Sequence, residues 1–280
     1  MATKKAAEDT ALEKKQDASM VVAPDYGDDA GQGYQGQTSA DVRIPIINLL
    51  QDLSPMVKAR KANPGDWYNT VTEQIWPADE GFLFVPCLTR HVFVEWVPRD
   101  KGGGYRGQFK PEDPIVLNAI AEAKKDPDLK FGEYYVGENE LAETFYVFGV
   151  LCTEDGQADS MALIPFTSTK IRPYKGWMTR LRQALILDAQ GKRVRPPLYA
   201  HLTRIKSTMT RNTEGEFAVP VITSGDPRGI TQSLLPRTDE RFMMAKEMMV
   251  QVDSGALESK IDYNQTRPEG ETKKEGDVPF

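Results

Sequence analysis

Tyr105, Arg106 and Phe109 fall within five positions, with Lys110 directly after them and Lys101 before them across three glycines. Cations neutralise phosphates and flat rings stack on bases, each stacked base contributing about 1–3 kcal/mol whatever its identity. Glycine lets a backbone follow an extended ligand closely. Residues 101–110 therefore have the composition of a loop that grips an extended polyanion. Arg90 and Trp96, in the apolar stretch feeding that loop, offer the same two kinds of contact.

A second concentration lies downstream. Residues 170–211 hold eleven Lys and Arg against one acid, Asp188, a net +10 in a chain whose formal charge is −6. Such segregation marks a basic working face with acidic flanks. The candidates there are Lys170, Arg172, Lys175, Arg180, Arg182, Arg204, Lys206 and Arg211.

Other chemistries find less support. Cys87, His91, Cys152 and His201 are all the cysteines and histidines present. Cys87 and His91 sit on one strand-like run, not in a metal knuckle, so both thiols read as buried groups in a reducing compartment. Glu133, Glu138, Glu140, Glu143 and Asp155 read as solvated acids. Gly191-Lys192 lacks the spaced glycine of a phosphate-binding P-loop and is followed by Arg193. No metal, cofactor or enzymatic activity is expected. The apolar runs are too short to span a bilayer and the N-terminus carries no apolar leader, so a soluble, cytoplasmic protein is expected.

The elements that must carry these residues follow from pattern. Residues 1–41 are polar and glycine-rich and read as a disordered arm. Order is expected over 42–255, beginning with the apolar cluster at Ile44, Ile46, Ile47, Leu49 and Leu50. Residues 82–97 form a long strand, apolar on both faces, whose alternation breaks at Pro86 as a bulge would break it. The glycine-rich loop opens an insertion, 98–143, that contains a helix near 113–125. Strands at 144–152 and 160–167 flank an Asp155-Gly156 turn. A helix over 169–187 buries Tyr174, Trp177, Met178, Leu181 and Leu185. Strands over 198–210 and 216–223 come next, then a helix after Thr238 burying Phe242, Ala245, Met249 and Val252. The chain from 256 to 280 reads as a flexible tail.

Strand, strand, strand, helix, strand, strand is the order of an OB-fold, so the fold expected is mainly β with flanking helices, an OB-fold-like five-stranded barrel with an enlarged first loop. Its first and fourth loops, which grip oligonucleotides in that architecture, would carry Lys101 to Lys110 and Arg211.

The chain closes with Asp277-Val278-Pro279-Phe280. This ending resembles the tip of bacterial single-stranded DNA-binding proteins, an acid, a branched aliphatic, Pro and a terminal Phe. The resemblance implies that Phe280 and its carboxylate enter an apolar pocket with a basic rim on replication and repair proteins. Residues 253–280 hold seven acids against four bases, so competition between this tail and DNA should be weaker than in that family. The enlarged barrel and long flanks look more like single-stranded DNA-binding proteins of bacteriophages. Protection of single-stranded DNA in replication, recombination or repair is the expectation, with homo-oligomers possible. A single-strand annealing protein is the nearest alternative; a phage structural protein or a metal-dependent nuclease stands further off.

Overall fold

The computed structural model describes residues 32–34, 36, 42–130, 132–213 and 215–267. Most of the expected arm, and the tip at Asp277, Val278, Pro279 and Phe280, lie outside the described residues. Among the described residues, no helix is long and apolar enough to cross a membrane.

In chain order the first elements are β1 (Ile47–Leu49), α1 (Pro55–Lys58), β2 (Trp67–Asn69), β3 (Ile75–Trp76), β4 (Phe82–Trp96) and β5 (Tyr105–Phe109). Then come α2 (Pro114–Ala123), β6 (Tyr135–Val136), β7 (Asn139–Cys152), β8 (Ala158–Thr167) and α3 (Ile171–Gln183). The last are β9 (Ile186–Leu187), β10 (Arg193–Val194), β11 (Thr203–Asn212), β12 (Gly215–Ser224) and α4 (Glu240–Asp253). The protein is mainly β with a few helices.

A two-stranded antiparallel ribbon of β4 and β7 forms the centre of the large sheet. At one end β11 and then β12 extend it beside β4, and β8 pairs with β7. At the other end β5 pairs with β4, and β6 folds onto β7. The ribbon bends where the sequence breaks. Pro86 faces Gly149 and Leu88 faces Phe148, so Cys87 is the extra residue of a bulge. One inserted residue exchanges the faces. Leu83, Val85 and Cys87 share a core with Val92, Val94 and Trp96 beyond it, while Phe82 and Phe84 point into another.

Those two cores cover the two sides of the ribbon. α4 lies on the first through Phe242, Ala245, Met248 and Val252. The second is enclosed by α3, through Tyr174, Trp177 and Leu181, and by the small β1–β2–β3 sheet, which contributes Trp67 and Trp76. α2 covers a satellite cluster of Phe93, Val116, Ala119 and Leu141.

Four expectations change. The five-stranded barrel does not close: β8 and β12 do not pair, and the sheet stays open with more strands than expected. The glycine-rich segment is not a mobile loop, since Tyr105–Phe109 is hydrogen-bonded to β4 as a strand. The tail does not begin at 256. Two short 3₁₀ turns, Glu258–Lys260 and Tyr263–Thr266, pack on the core, with Leu257, Ile261 and Thr266 buried. Main-chain Ile44 N–H donates to Lys260 O at 2.9 Å, and Asn48 Nδ2 donates to Gln265 O at 2.9 Å. The third helix also ends earlier than its apolar pattern suggested. Ala184 turns extended, and Leu185 and Leu187 lie exposed on the hairpin that follows.

β12 and β8, the outer strands at the first end of the sheet, are blocked against further pairing. On β12 the Gln51 carboxamide donates to Ala218 O at 3.0 Å and accepts from Ala218 N–H at 2.8 Å, in the manner of a neighbouring strand. Pro220 offers no donor, and Arg180 Nη2 donates to Ile222 O at 2.6 Å. On β8, Leu163 N–H donates to Pro45 O at 2.9 Å, and Pro165 again lacks a donor.

Candidate nucleic-acid interface

The first group of sequence candidates is absorbed into packing. Trp96 is 1% exposed, with Tyr105 edge-on at 5.9 Å and the Arg267 guanidinium 5.4 Å above its ring. Tyr105 stacks on Tyr263 at 5.1 Å, and its N–H donates to Asn264 Oδ1 at 2.8 Å. Burial, then nearby Glu258, raises the pKa of the Tyr105 phenol. Phe109 packs in the cluster under α2. Arg90 pairs with Glu258, donates to Val252 O, and lies 5.4 Å from the Phe148 ring centre. Trp96, Tyr105, Phe109 and Arg90 were expected to meet bases and phosphates. Arg267, Tyr263 and Glu258 hold Trp96, Tyr105 and Arg90 instead, and the cluster under α2 holds Phe109.

The loop cations are partly engaged. Lys101 Nζ lies 2.5 Å from Glu138 Oε2. Arg106 Nε stands 3.4 Å from Glu95 Oε1, a buried carboxylate that also accepts from Asn139 Nδ2 at 2.5 Å. Lys110 donates its main-chain N–H to Asp113 Oδ2 at 2.7 Å at the start of α2, with its side chain exposed.

The second group behaves differently. Tyr174, Trp177 and Leu181 recur at helical spacing and anchor α3, so Arg172, Lys175 and Arg182 fall on the outward side. Lys175 Nζ is 5.1 Å from the Phe145 ring centre and 3.9 Å from Glu143 Oε1. Among the described residues Arg172 and Arg182 make no ion pair. Arg180 instead caps β12, and Lys170 lies half-buried in the turn leading into α3. Lys206 donates to Asp79 O. Arg204 is half-buried near Cys152, whose thiol burial pushes up to about 11. Arg211 is exposed near the end of the β11–β12 hairpin.

Three further cations of the same basic window stand outside the eight candidates. Lys192, Arg193 and Arg195 are exposed on the β9–β10 hairpin, and Arg195 Nε donates to Arg182 O at 2.7 Å. The hairpin thus continues the strip begun by α3. The window's one acid shapes the turn of this hairpin. Asp188 accepts from the main-chain N–H groups of Gln190 at 3.0 Å and Lys192 at 2.9 Å.

Beside Lys175 lies an aromatic surface the candidates did not include. The His91 ring stacks on Phe145 with centres 4.1 Å apart and planes 12° apart, and its Nε2 is 3.0 Å from Glu143 Oε1. The bond to His91, opposed by burial and helped by Lys175, lowers the Glu143 pKa. Phe145 itself is buried, so the exposed His91 is the flat ring beside this cation that a base would meet. The four residues weighed as zinc ligands do not converge: among the described residues, no three His, Cys, Asp or Glu side chains form a group that could hold a metal. His201 is 2% exposed, and burial pushes its pKa down to about 4.

A family model described as Pam3 phage gp34-like protein matches residues 13–258, most of the chain. No curated protein and no solved structure matches it.

Proposed function

The chain belongs to the Pam3 phage gp34-like protein family, and from that premise we propose that it binds single-stranded DNA without strong sequence preference during phage DNA replication or recombination. The observation that carries this reading is the strip formed by Arg172, Lys175 and Arg182 on α3 with Lys192, Arg193 and Arg195 on the adjoining hairpin. Its one ion pair among the described residues is the 3.9 Å contact of Lys175 with Glu143. Six exposed cations cost little to desolvate beside phosphates and release counterions from the strand, with a salt slope of about −0.7 per phosphate contact.

Two further features support it. The run β12–β11–β4–β7–β8 follows the neighbour order of OB-fold strands as far as the pair that would close the barrel. In that frame the β11–β12 turn is the fourth loop, one of the two that grip oligonucleotides, and Arg211 stands beside it. The resemblance of Asp277 to Phe280 to a partner-recruiting tip supports a role among other replication or recombination proteins. The binding surface proposed here therefore lies on α3, the β9–β10 hairpin and the exposed His91, not on the 101–110 segment.

Fluorescence anisotropy with labelled oligothymidylate and with duplex DNA, over a salt series, tests the reading. Tighter binding to the single strand, weakening as salt rises, is expected. Equal affinity for the two, or no binding at low salt, overturns it.

A further inference from the structure

The turn after α1 carries three cations that packing does not explain. Lys58, Arg60 and Lys61 are all exposed, and among the described residues none makes an ion pair or a side-chain hydrogen bond. Arg60 also sits at φ 58. Its N–H reaches Val57 O at 2.9 Å and the Lys61 N–H reaches Met56 O at 3.0 Å, so Arg60 holds the left-handed position that ends a helix. Glycine fills that position without strain, and an L side chain does not. Glu73 and Ser168 also hold positive φ, so it is the three cations without ion pairs among the described residues that point to an anionic ligand.

The surroundings suit an anion. Arg60 and Lys61, with Asn63 and Pro64, line an open concavity of about 300 Å³. Asp66, the acid of this turn, is buried and faces inward, accepting from Asn63 N–H at 2.8 Å and Ala78 N–H at 3.2 Å. The turn is braced on β11. Ser207 donates its hydroxyl to Gly65 O and its N–H to Ala78 O at 3.0 Å. Met209 Sδ would lie 3.6 Å from a Cβ placed on Gly65, so alternate β11 residues face this turn, and Arg211 is the next on that side.

We propose that Lys58, Arg60 and Lys61, together with Arg211, form a second phosphate-binding edge that holds the sugar-phosphate backbone of the single strand; this rests on the single-stranded DNA reading above. Arg60→Gly tests it without threatening the fold, because glycine is the residue that φ 58 favours. With labelled oligothymidylate, the variant should melt no lower than wild type. It should bind roughly fivefold to tenfold more weakly at about 50 mM salt, with a salt slope shallower by about 0.7. Lys58→Ala/Lys61→Ala should lower affinity and slope further. Unchanged affinity and slope in both variants, beside a wild type that binds, overturn this inference alone. A melting temperature that falls together with affinity in Arg60→Gly makes Arg60 a structural residue and also overturns it. A wild type that binds no single strand removes the functional reading and this inference together.

Discussion

Arg195 Nε donates to the main-chain carbonyl of Arg182 at 2.7 Å, fastening the β9–β10 hairpin to the last turn of α3. Carbonyls at a helix C-terminus lack intrahelical donors, and a cation there also meets the negative end of the helix dipole. Arg195 thus joins the two halves of the basic strip and adds to its charge. Arg195→Ala should lower stability by about 1 kcal/mol, the net value of one such bond, and also weaken oligothymidylate binding. Arg193→Ala should weaken binding with stability unchanged. Urea unfolding alongside anisotropy separates the two; identical behaviour of both variants would remove the fastening role.

The bulge depends on the pair Pro86 and Gly149. Proline gives the ladder no donor, and a Cβ on Gly149 would collide with the Val85 carbonyl and the Phe84 ring. Both obstacles are rigid and buried. Gly149→Ala should cost about 3 kcal/mol, the upper end of overpacking, visible as a lower urea midpoint. A near-neutral result would mean that the ribbon can shift there.

Gln51 replaces a strand at the β12 edge. Gln51→Ala leaves the Ala218 N–H and C=O without their partner and should cost about 1–3 kcal/mol. It also bares part of a strand edge, so the variant should show concentration-dependent association in sedimentation velocity. A variant that stays at the wild-type sedimentation coefficient over the same range would show that Pro220 and Arg180 suffice.

Acid should act through two groups in different ranges. His201 has a folded pKa of about 4 against an ordinary 6.5, so over that interval the unfolded chain takes up a proton that the folded chain refuses. Its contribution is full above pH 6.5 and declines as pH falls towards 4. The Glu143 pKa is lowered chiefly by His91, so its contribution is present above the ordinary carboxylate range and lost as pH falls through the folded value. Unfolding free energies measured from pH 7 to 3 should lose the upper slope in His201→Asn and part of the lower slope in Glu143→Gln. An unaltered profile in His201→Asn would contradict the burial assigned to that imidazole.

What could be read from the chain was local. Pro86 inside an apolar run foretold the bulge, Asp155-Gly156 the β7–β8 turn, and the spacing of Tyr174, Trp177 and Leu181 the buried face of α3. The charge window also pointed to α3, but no strand or helix pattern placed its Lys192, Arg193 and Arg195 beside that helix. The failures share one cause. Tyr105, Trp96 and Arg90 have the residue types of a nucleic-acid contact, yet Tyr263, Arg267 and Glu258, more than 150 residues on, complete them. Composition does not distinguish a ring that stacks on a base from one that stacks on the chain's own tyrosine. The closing of residues 257–266 onto the core was hidden for the same reason, since Asn48 and Tyr146 hold that polar segment from far away.

The central claim is that the strip on α3 and the β9–β10 hairpin holds the phosphates of a single strand. Its most direct test is the salt dependence of oligothymidylate affinity for wild type and for Arg172→Ala/Arg182→Ala/Arg193→Ala, with duplex DNA as control. Loss of three phosphate contacts should make the slope of log affinity against log salt shallower by about 2, with melting temperature preserved and single strand preferred over duplex by the wild type. A triple variant with wild-type affinity and slope would contradict the claim.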